Sequence, residues 1–357
     1  MTFQKSGLSV FREHPACPDT SSVRGEEENA MVDLSVDYLG LKLANPLIVS
    51  SSSLTNSPEK ILHCQEAGAG AVVLKSLFEE QIEANTRNLE EEAWPYPHPE
   101  AFDYLRQTGM RMGEEEYLEL IKAAKKEVSI PVIASLNCIT PRWWNDTARE
   151  IEAAGADALE LNIALLPTDF ERSASDIEKA HIRIVSNVRR VCNLPLAVKI
   201  GPYFTALPRL AEELRRAGAS ALVLFNRFYQ LDIDIDKPAL VPGYHLSSPE
   251  EIYLSLRWIA VLADRVGCDL AASTGVHDAA GVVKQLLAGA AAVQLCSHLY
   301  LKGLDRLEEI KKEIGAWMEQ HGHRRVADFR GLMSQEQSGQ PAYYERLQYI
   351  KVLVGLE

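Results

Sequence analysis

The sequence predicts a closed (β/α)8 TIM barrel, and two repeated patterns carry this prediction. In four places an Ala-Gly-Ala turn is followed directly by an apolar run that ends in a polar side chain. Four further apolar runs lie between these units, and three of them begin with proline. Glycine just past a helical pattern favours the left-handed conformation that ends a helix, and short apolar runs are typical of buried parallel strands. The eight runs begin near residues 46, 71, 131, 158, 195, 221, 269 and 292.

Helical segments are predicted between these runs. Eight alternations of strand and helix in roughly 270 residues fit the size of a closed barrel better than an open doubly wound sheet. The predicted helices span residues 58–67, 114–127, 143–154, 174–191, 205–217, 249–266, 278–288 and 303–320.

The same spacing gives the domain organisation. Residues 31–335 are assigned to the barrel and residues 336–357 to a C-terminal tail segment. Residues 1–30 carry several charges and lack the apolar core of a signal peptide, so we predict a disordered N-terminal extension. Two long loops, residues 77–113 after the second strand and residues 227–248 after the sixth, are expected to form lids or substrate walls.

Composition limits the classes of protein. A chain of 357 residues with 46% hydrophobic content can bury a full core, which favours one decorated barrel over two domains. A net charge of −13 without a basic stripe argues against a nucleic-acid partner. The six cysteines form no C-x-x-C pair, so neither a disulfide framework nor a zinc or iron–sulfur site is predicted. No apolar run approaches the ~20 residues that span a bilayer. We therefore expect a cytoplasmic protein that acts on a small molecule, without a metal or a membrane partner.

Polar side chains stand where the predicted strands end. In barrels of this kind the active site is built at the C-terminal ends of the strands. A barrel without a function would not need the two lysines among these side chains, Lys75 and Lys199. The strand ends carry Ser50, Ser51, Lys75, Ser76, Asn162, Lys199, Asn226, Thr274, Gly275, Cys296 and Ser297.

Lys75 and Lys199 indicate a negatively charged ligand. Each follows a buried apolar run, and an ammonium group at the rim of an apolar barrel is costly to desolvate without an anionic partner. A salt bridge to a neighbouring carboxylate at the mouth is the alternative explanation. Two such lysines at strand ends favour an anion between them.

A phosphate site is also indicated. Residues 273–278 leave the seventh strand and open a helix, while Cys296 and Ser297 leave the eighth strand. Backbone N–H groups of these two loops form the usual phosphate pocket of such barrels. A phosphorylated ligand or cofactor is therefore expected.

Together these segments resemble the dihydroorotate dehydrogenase family, in the same order and on the same strands. The resemblance covers roughly residues 33–331. It implies an FMN-binding barrel that oxidises or reduces a carbon–carbon bond beside a carbonyl in a pyrimidine ring, as in pyrimidine biosynthesis. Soluble members of the family are often homodimers. The similar segments are residues 45–52, 70–76, 160–162, 195–204, 274–276, 286–295 and 326–331.

The resemblance also implies roles for individual residues. Lys75, Asn162 and Lys199 would be catalytic, with Lys199 facing the N1/O2 edge of the flavin. Reduction places negative charge on that edge, and a fixed cation stabilises it. Asn226 and Arg227 would contact the substrate. The remaining cofactor contacts would be Ser50 and Ser51 along the flavin, Ser76 at its ring, and Thr274, Gly275, Cys296 and Ser297 at the phosphate.

The chain departs from the family where the substrate is handled. Soluble members place Leu-Ser-Cys-Pro-Asn after the fourth strand, and the cysteine takes a proton from the substrate. Here residues 163–167 read Ile-Ala-Leu-Leu-Pro, which contains no proton acceptor. General base catalysis contributes ~10²–10⁴-fold, so this change matters. Residues that could substitute from nearby loops are Cys138, Thr140, Asp169 and Tyr203.

Two further motifs of the substrate site have changed. The Asn-x-Met-Gly-Leu turn of the family is replaced by residues 83–88, and Arg227 takes the place of a serine after Asn226. The expected function is a dihydroorotate dehydrogenase-like FMN oxidoreductase that turns dihydroorotate over poorly or uses a related acidic substrate. Two alternatives stay open: a Schiff-base aldolase that uses Lys199, and an FMN-binding or nucleotide-binding barrel without catalysis.

Overall fold

The computed structural model describes residues 32–78, 114–137, 141–227, 231–241, 245–339 and 341–345. All described residues belong to one compact unit, Val32–Glu357. The predicted disordered extension lies outside the described residues. The predicted boundaries of the barrel and of the tail segment stay predictions.

Eight parallel strands close into a barrel, which confirms the predicted fold class. The described residues contain thirteen strands in all, of which eight form the barrel: β1 (Val36–Tyr38), β2 (Leu41–Leu43), β3 (Leu47–Val49), β4 (Ala71–Val73), β5 (Leu77–Phe78), β6 (Val132–Asn137), β7 (Ala158–Asn162), β8 (Leu196–Ile200), β9 (Ala221–Leu224), β10 (Ile233–Asp234), β11 (Ala239–Leu240), β12 (Asp269–Ser273) and β13 (Ala292–Leu295). The barrel runs in the order β3, β4, β6, β7, β8, β9, β12 and β13, and β13 pairs with β3 to close it. Almost every residue of these eight strands is buried, because helices cover the outside and side chains fill the interior.

The helices lie between the strands, as the alternation predicts. They are α1 (Pro58–Glu66), α2 (Glu114–Glu127), α3 (Pro141–Ala154), α4 (Ala174–Val191), α5 (Leu207–Arg216), α6 (Ile252–Leu262), α7 (Ala279–Ala288), α8 (Ser297–Lys302) and α9 (Arg306–Gln320). Within the described ranges, only the short α8 was not predicted. None of these helices is both long enough and apolar enough to cross a membrane.

Polar caps fix where several helices begin at the catalytic end of the barrel. The Ser57 side chain accepts a hydrogen bond from the backbone N–H of Lys60 at the start of α1. Ser173 and Asp176 form a reciprocal capping box at the start of α4. Asp278 accepts from Gly281 at 2.7 Å and starts α7. Such caps satisfy N–H groups that have no partner inside the helix.

A small antiparallel hairpin, β1 and β2, covers the N-terminal end of the barrel. Its turn residues Leu39 and Gly40 both have positive φ, at 58° and 72°. The backbone N–H of Leu39 donates to Asp269, the first residue of β12, at 2.8 Å. Tyr38 and Leu39 are buried. This hairpin was not predicted from the sequence.

The long loop after β9 contains a second hairpin. The period-two alternation of residues 231–236 predicts a strand there, and β10 pairs with β11. Its apolar side chains are exposed, including Ile235 at 88%. The loop then returns toward the barrel, and Ser247 is buried at the mouth. The other predicted lid, residues 77–113, lies outside the described residues from position 79 onward.

Candidate active site at the C-terminal end of the barrel

The C-terminal ends of the strands surround an open cleft with an empty volume of about 770 Å³, called the central cleft below. Two predicted site residues, Ser76 and Asn162, do not line the cleft directly. Asn162 accepts a hydrogen bond from the Asn226 amide at 2.7 Å, and Ser76 bonds to Ser51. The structure therefore brings the predicted set together, while the individual roles stay predictions. The predicted residues that line the cleft are Ser50, Ser51, Lys75, Lys199, Asn226, Arg227, Thr274, Gly275, Cys296 and Ser297.

A chain of serines joins three strand ends at one side of the cleft. The hydroxyl of Ser51 accepts from the backbone N–H of Ser76 at 2.8 Å and lies 3.0 Å from the Ser76 hydroxyl. The Ser76 hydroxyl lies 2.8 Å from that of Ser135 on β6. The three hydroxyls are buried, so their mutual bonds replace lost bonds to water. This chain holds the ends of β3, β4 and β6 at fixed spacing.

Lys199 is held by three partners inside the barrel. Its ammonium group donates to the Ser50 hydroxyl and to Gln294 Oε1, each at 3.3 Å. Oε1 of Glu160 lies 3.8 Å from the same nitrogen. Lys199 thus has the carboxylate partner that the sequence left open as the alternative to an anionic ligand. The carboxylate belongs to a barrel strand rather than to a loop at the mouth.

Lys75 brings a second positive charge to the cleft. It follows β4 and is 6% exposed, and Lys199 is 4% exposed. Both lysines line the cleft, whereas Glu160 lies outside its lining. Buried cations favour an anionic or electron-rich ligand that replaces their lost hydration. The charge of the cleft surface fits such a ligand.

The predicted phosphate loop has a tightly constrained backbone. Thr274 and Gly275 have φ of 75° and 78°. The Thr274 hydroxyl donates to the carbonyl of Phe225 at 3.1 Å, which ties the loop to the end of β9. A Cβ at Gly275 would lie 2.1 Å from the backbone nitrogen of Ile252. Only glycine fits this position, and the loop is held against the start of α6.

Ser247 and Tyr300 complete the far side of the cleft and were missed in the sequence. The backbone N–H of Ser247 donates to the Ser297 hydroxyl at 3.0 Å. The Tyr300 hydroxyl accepts from the backbone N–H of Ser53 at 2.9 Å, and burial raises the pKa of Tyr300. Tyr300 lies three residues after Ser297, so both face the same side of α8. Without a prediction of α8, the sequence offered no signal for it.

Arg227 lines the cleft but already has a carboxylate partner. Its Nε donates to Glu251 at 2.8 Å, and its Nη1 donates to the carbonyl of His245. The Arg227 side chain is 12% exposed. A substrate carboxylate that binds Arg227 would have to share it with Glu251.

The predicted substitutes for the missing base do not line the central cleft. Tyr203 is 64% exposed and contributes to a separate pocket beside Leu165, while Asp169 lies in an exposed loop. Cys138 and Thr140, as well as residues 83–88, lie outside the described residues. Ile163, directly after Asn162, is buried. Residues 163–167, which replace the segment with the family's base, therefore bring no polar side chain to the central cleft.

Three buried or half-buried histidines make the stability depend on pH. Burial lowers the pKa of His181, His277 and His298 from the ordinary value of 6.5. The unfolded chain then binds more protons than the folded chain as the pH falls below 6.5, so stability decreases. Each proton bound only by the unfolded chain changes the slope by about 1.4 kcal/mol per pH unit.

We expect urea unfolding to show a lower free energy at pH 5.5 than at pH 7.5. The matched variant is His181→Gln, because the His181 ring contacts the carbonyl of Ile177 at 2.8 Å and an amide can donate there. This variant should show a smaller difference between the two pH values. An unchanged or larger difference would exclude His181 as a contributor.

The fold and site define a (β/α)8-barrel protein with two buried lysines and a constrained Thr274–Gly275 loop in a cleft at the C-terminal end of its strands. The family model described as dihydroorotate dehydrogenase matches residues 33–318, and the chain belongs to this family. The resemblance recognised in the sequence is confirmed.

Three relatives illustrate the range of similarity. The chain is 25% identical to the catalytic subunit of dihydroorotate dehydrogenase B (NAD(+)) of Thermoplasma acidophilum over 309 residues, which cover 85% of this chain and 99% of the relative. The enzyme of the same name from Pyrococcus abyssi is 28% identical over 310 residues, covering 84% and 98%. That of Methanosarcina mazei is 27% identical over 306 residues, covering 82% and 93%. The match spans almost the whole length of these relatives.

Proposed function

We propose that this protein is an FMN-dependent oxidoreductase that acts on a CH–CH bond next to a carbonyl. The substrate class is dihydroorotate or a related small, acidic carbonyl compound of pyrimidine metabolism. The proposal is carried by one observation: two buried lysines, Lys75 and Lys199, line a cleft that also contains the Thr274–Gly275 loop. The names of the relatives support the same reaction class.

The residues of the central cleft fit FMN by their chemistry. The Thr274–Gly275 loop and the loop of Cys296 and Ser297 would hold the phosphate through backbone groups. Lys75 and Lys199 would lie along the ring, where positive charge offsets the negative charge of the reduced form. Bound FMN would supply the two-electron acceptor that the amino acids themselves lack.

The chain's own groups would bind and orient the substrate. The Asn226 amide donates to Oδ1 of Asn162 at 2.7 Å, and this bond orients the Asn162 side chain. Residues 163–167 contribute no group that can take a proton at the substrate carbon. We therefore expect slow oxidation of dihydroorotate by the unmodified protein.

The surroundings of Lys199 favour this proposal over a Schiff-base aldolase. The Lys199 nitrogen already has two hydrogen-bond acceptors and a carboxylate at 3.8 Å as partners, whereas a Schiff-base lysine needs a nitrogen that is free to attack a carbonyl. The non-catalytic alternative is favoured by one observation, the absence of a base in residues 163–167. The cytoplasmic location and a homodimer stay predictions.

The visible spectrum of the purified protein, after incubation with FMN, tests the proposal. We expect flavin absorbance and release of FMN on denaturation. Anaerobic titration with dihydroorotate should then bleach the flavin slowly. A colourless protein that binds no FMN but traps a ketose on Lys199 with borohydride would support the aldolase instead. Flavin that resists every dihydropyrimidine yet bleaches with dithionite would support the non-catalytic alternative.

Leu165→Cys tests whether the missing base limits the reaction. Leu165 is the third residue after Asn162, the position of the family's cysteine, and it is half-buried in the pocket that also contains Tyr203. Flavin reduction by dihydroorotate, followed in an anaerobic stopped-flow instrument, should accelerate by about 10²–10⁴-fold. The control is Leu166→Cys, one position further in the exposed part of the loop. Equal rates in both variants would indicate that the substrate is a different compound.

A further inference from the structure

We propose that Glu160 is the buried counter-ion of Lys199 and that it lowers the reduction potential of the flavin bound in the central cleft. This inference rests on the proposed function, because it requires FMN. Glu160 is a positioning residue in this account, since it acts through Lys199 and does not line the cleft.

The barrel strands direct both charges into the interior. Glu160 and Asn162 are two positions apart on β7, so their side chains lie on the same face of the strand. Asn162 pairs with Lys199 in the register between β7 and β8. The side chains of Glu160 and Lys199 are 1% and 5% exposed. The ion pair is therefore shielded from solvent and from salt.

Gln294 holds the pair together from a third strand. Its amide nitrogen donates to Oε2 of Glu160 at 2.5 Å, while its carbonyl oxygen accepts from Lys199 at 3.3 Å. The same carbonyl oxygen accepts from the Ser50 hydroxyl at 3.1 Å. The amide orientation of Gln294 is thus fixed by an acceptor at its nitrogen and by two donors at its oxygen. This arrangement sets the position of the ammonium group.

The two charges are ordered along the barrel. Lys199, Gln294 and Ser50 line the cleft, while Glu160 is farther inside. Toward the other end lies the buried phenol of Tyr38, whose pKa is raised by burial and further by the negative charge of Glu160. A carboxylate confined in this way acts through a medium of low polarity, so its field is weakly screened.

This order has a direct electrostatic consequence for a flavin. A cation that faces the ring favours the reduced, anionic form, and a carboxylate behind the cation partly cancels that effect. Removing the negative charge of Glu160 while keeping Lys199 should make the flavin easier to reduce.

The test is a spectroelectrochemical titration of the FMN-loaded wild type and of Glu160→Gln. At the midpoint potential of the wild type, the ratio of reduced to oxidised flavin should rise about tenfold or more, a shift of about 30 mV for a two-electron couple. Glu160→Asp keeps the charge and should stay within about threefold of the wild-type ratio. The dissociation constant of oxidised FMN should change by less than about tenfold, because oxidised flavin carries no ring charge.

A glutamine at position 160 has only one acceptor atom, whereas Gln294 and Lys199 both direct a donor toward this side chain. The substitution is therefore expected to lose one of the two contacts and to destabilise the fold. If Glu160→Gln does not fold, Glu160→Met removes the charge with similar volume and should give the same direction of shift. A variant that binds FMN with an unchanged or lower potential overturns the inference and leaves the proposed function intact. Failure of the wild type to bind FMN overturns both.

Discussion

Lys199→Met is expected to lower the free energy of unfolding by about 3–5 kcal/mol, because the substitution leaves the Glu160 carboxylate buried without its cation. The Glu160 side chain is only 1% exposed, so water cannot replace the lost ammonium group. Gln294 still donates one hydrogen bond to it, but an amide carries no compensating charge. Chemical denaturation of the FMN-free protein measures the loss. The same variant should also bind FMN more weakly.

The matched control for this variant is Lys125→Met. Lys125 and Asp157 form a shorter bridge, at 2.6 Å, but their side chains are 31% and 25% exposed. Water can solvate Asp157 after the substitution, and its carboxylate keeps the N–H of Val132 at 2.7 Å. We expect a loss below about 1 kcal/mol. The comparison separates burial of the pair from the distance between its atoms.

A double variant decides whether the loss comes from the ion pair. When Glu160→Gln is combined with Lys199→Met, neither position carries a charge, so the double variant should be more stable than Lys199→Met alone. Losses that simply add would show that the two side chains act independently. In that case the network around Gln294, rather than the charge pair, would stabilise the barrel interior.

Gly275→Ala is expected to cost more than about 4 kcal/mol of stability, in the range that marks a severe local conflict. Its Cβ would lie 2.1 Å from the nitrogen of Ile252 and 2.5 Å from the carbonyl carbon of Glu251. Both neighbours are backbone atoms, so no side-chain rotation can relieve the contact. The positive φ of 78° adds strain for any residue with a Cβ. Urea unfolding and FMN binding would both report the change.

Gly303→Ala isolates the contribution of the backbone angle. Gly303 has a φ of 87°, and nothing lies within 4 Å of the position of its added Cβ. With ψ at 165°, this backbone conformation is adopted almost only by glycine, so the variant should cost about 1–3 kcal/mol without any steric contact. Similar losses in both variants would mean that the start of α6 moves away from Gly275 at little cost.

The barrel could be predicted from the sequence because each of its strands is buried on both faces. Such strands are short, continuous apolar runs, and the glycine turns before four of them mark the ends of the preceding helices. Helix positions followed from the same alternation. Helix ends differ by a few residues, since α6 ends at Leu262 and α5 begins at Leu207. Local signals of this kind need no knowledge of the tertiary structure.

The β1–β2 hairpin could not be predicted in this way. Its turn places Leu39 at a φ of 58°, and leucine is not a residue that signals a left-handed turn. Burial of Leu39 and the bond from its N–H to Asp269 stabilise that conformation. Both contacts depend on β12, which is distant in the chain.

The candidate site shows the same division. Lys75 and Lys199 were recognised because each directly follows an apolar run. Glu160 stands within such a run, and its partners come from two other strands, so only the register of the closed barrel reveals the pairing. Ser247 and Tyr300 depend on a long loop and an unpredicted helix. Spatial neighbours of this type leave no periodic pattern in the sequence.

Because the β1–β2 hairpin covers the N-terminal end of the described barrel, the central cleft opens at the other end. Tyr38 and Leu39 are buried at the N-terminal end, so a ligand of the central cleft would enter from the C-terminal ends of the strands. An electron donor and an electron acceptor of similar size would then compete for the same cleft. We would therefore expect the two compounds to bind one after the other, with the proposed FMN as the electron carrier between the two binding events.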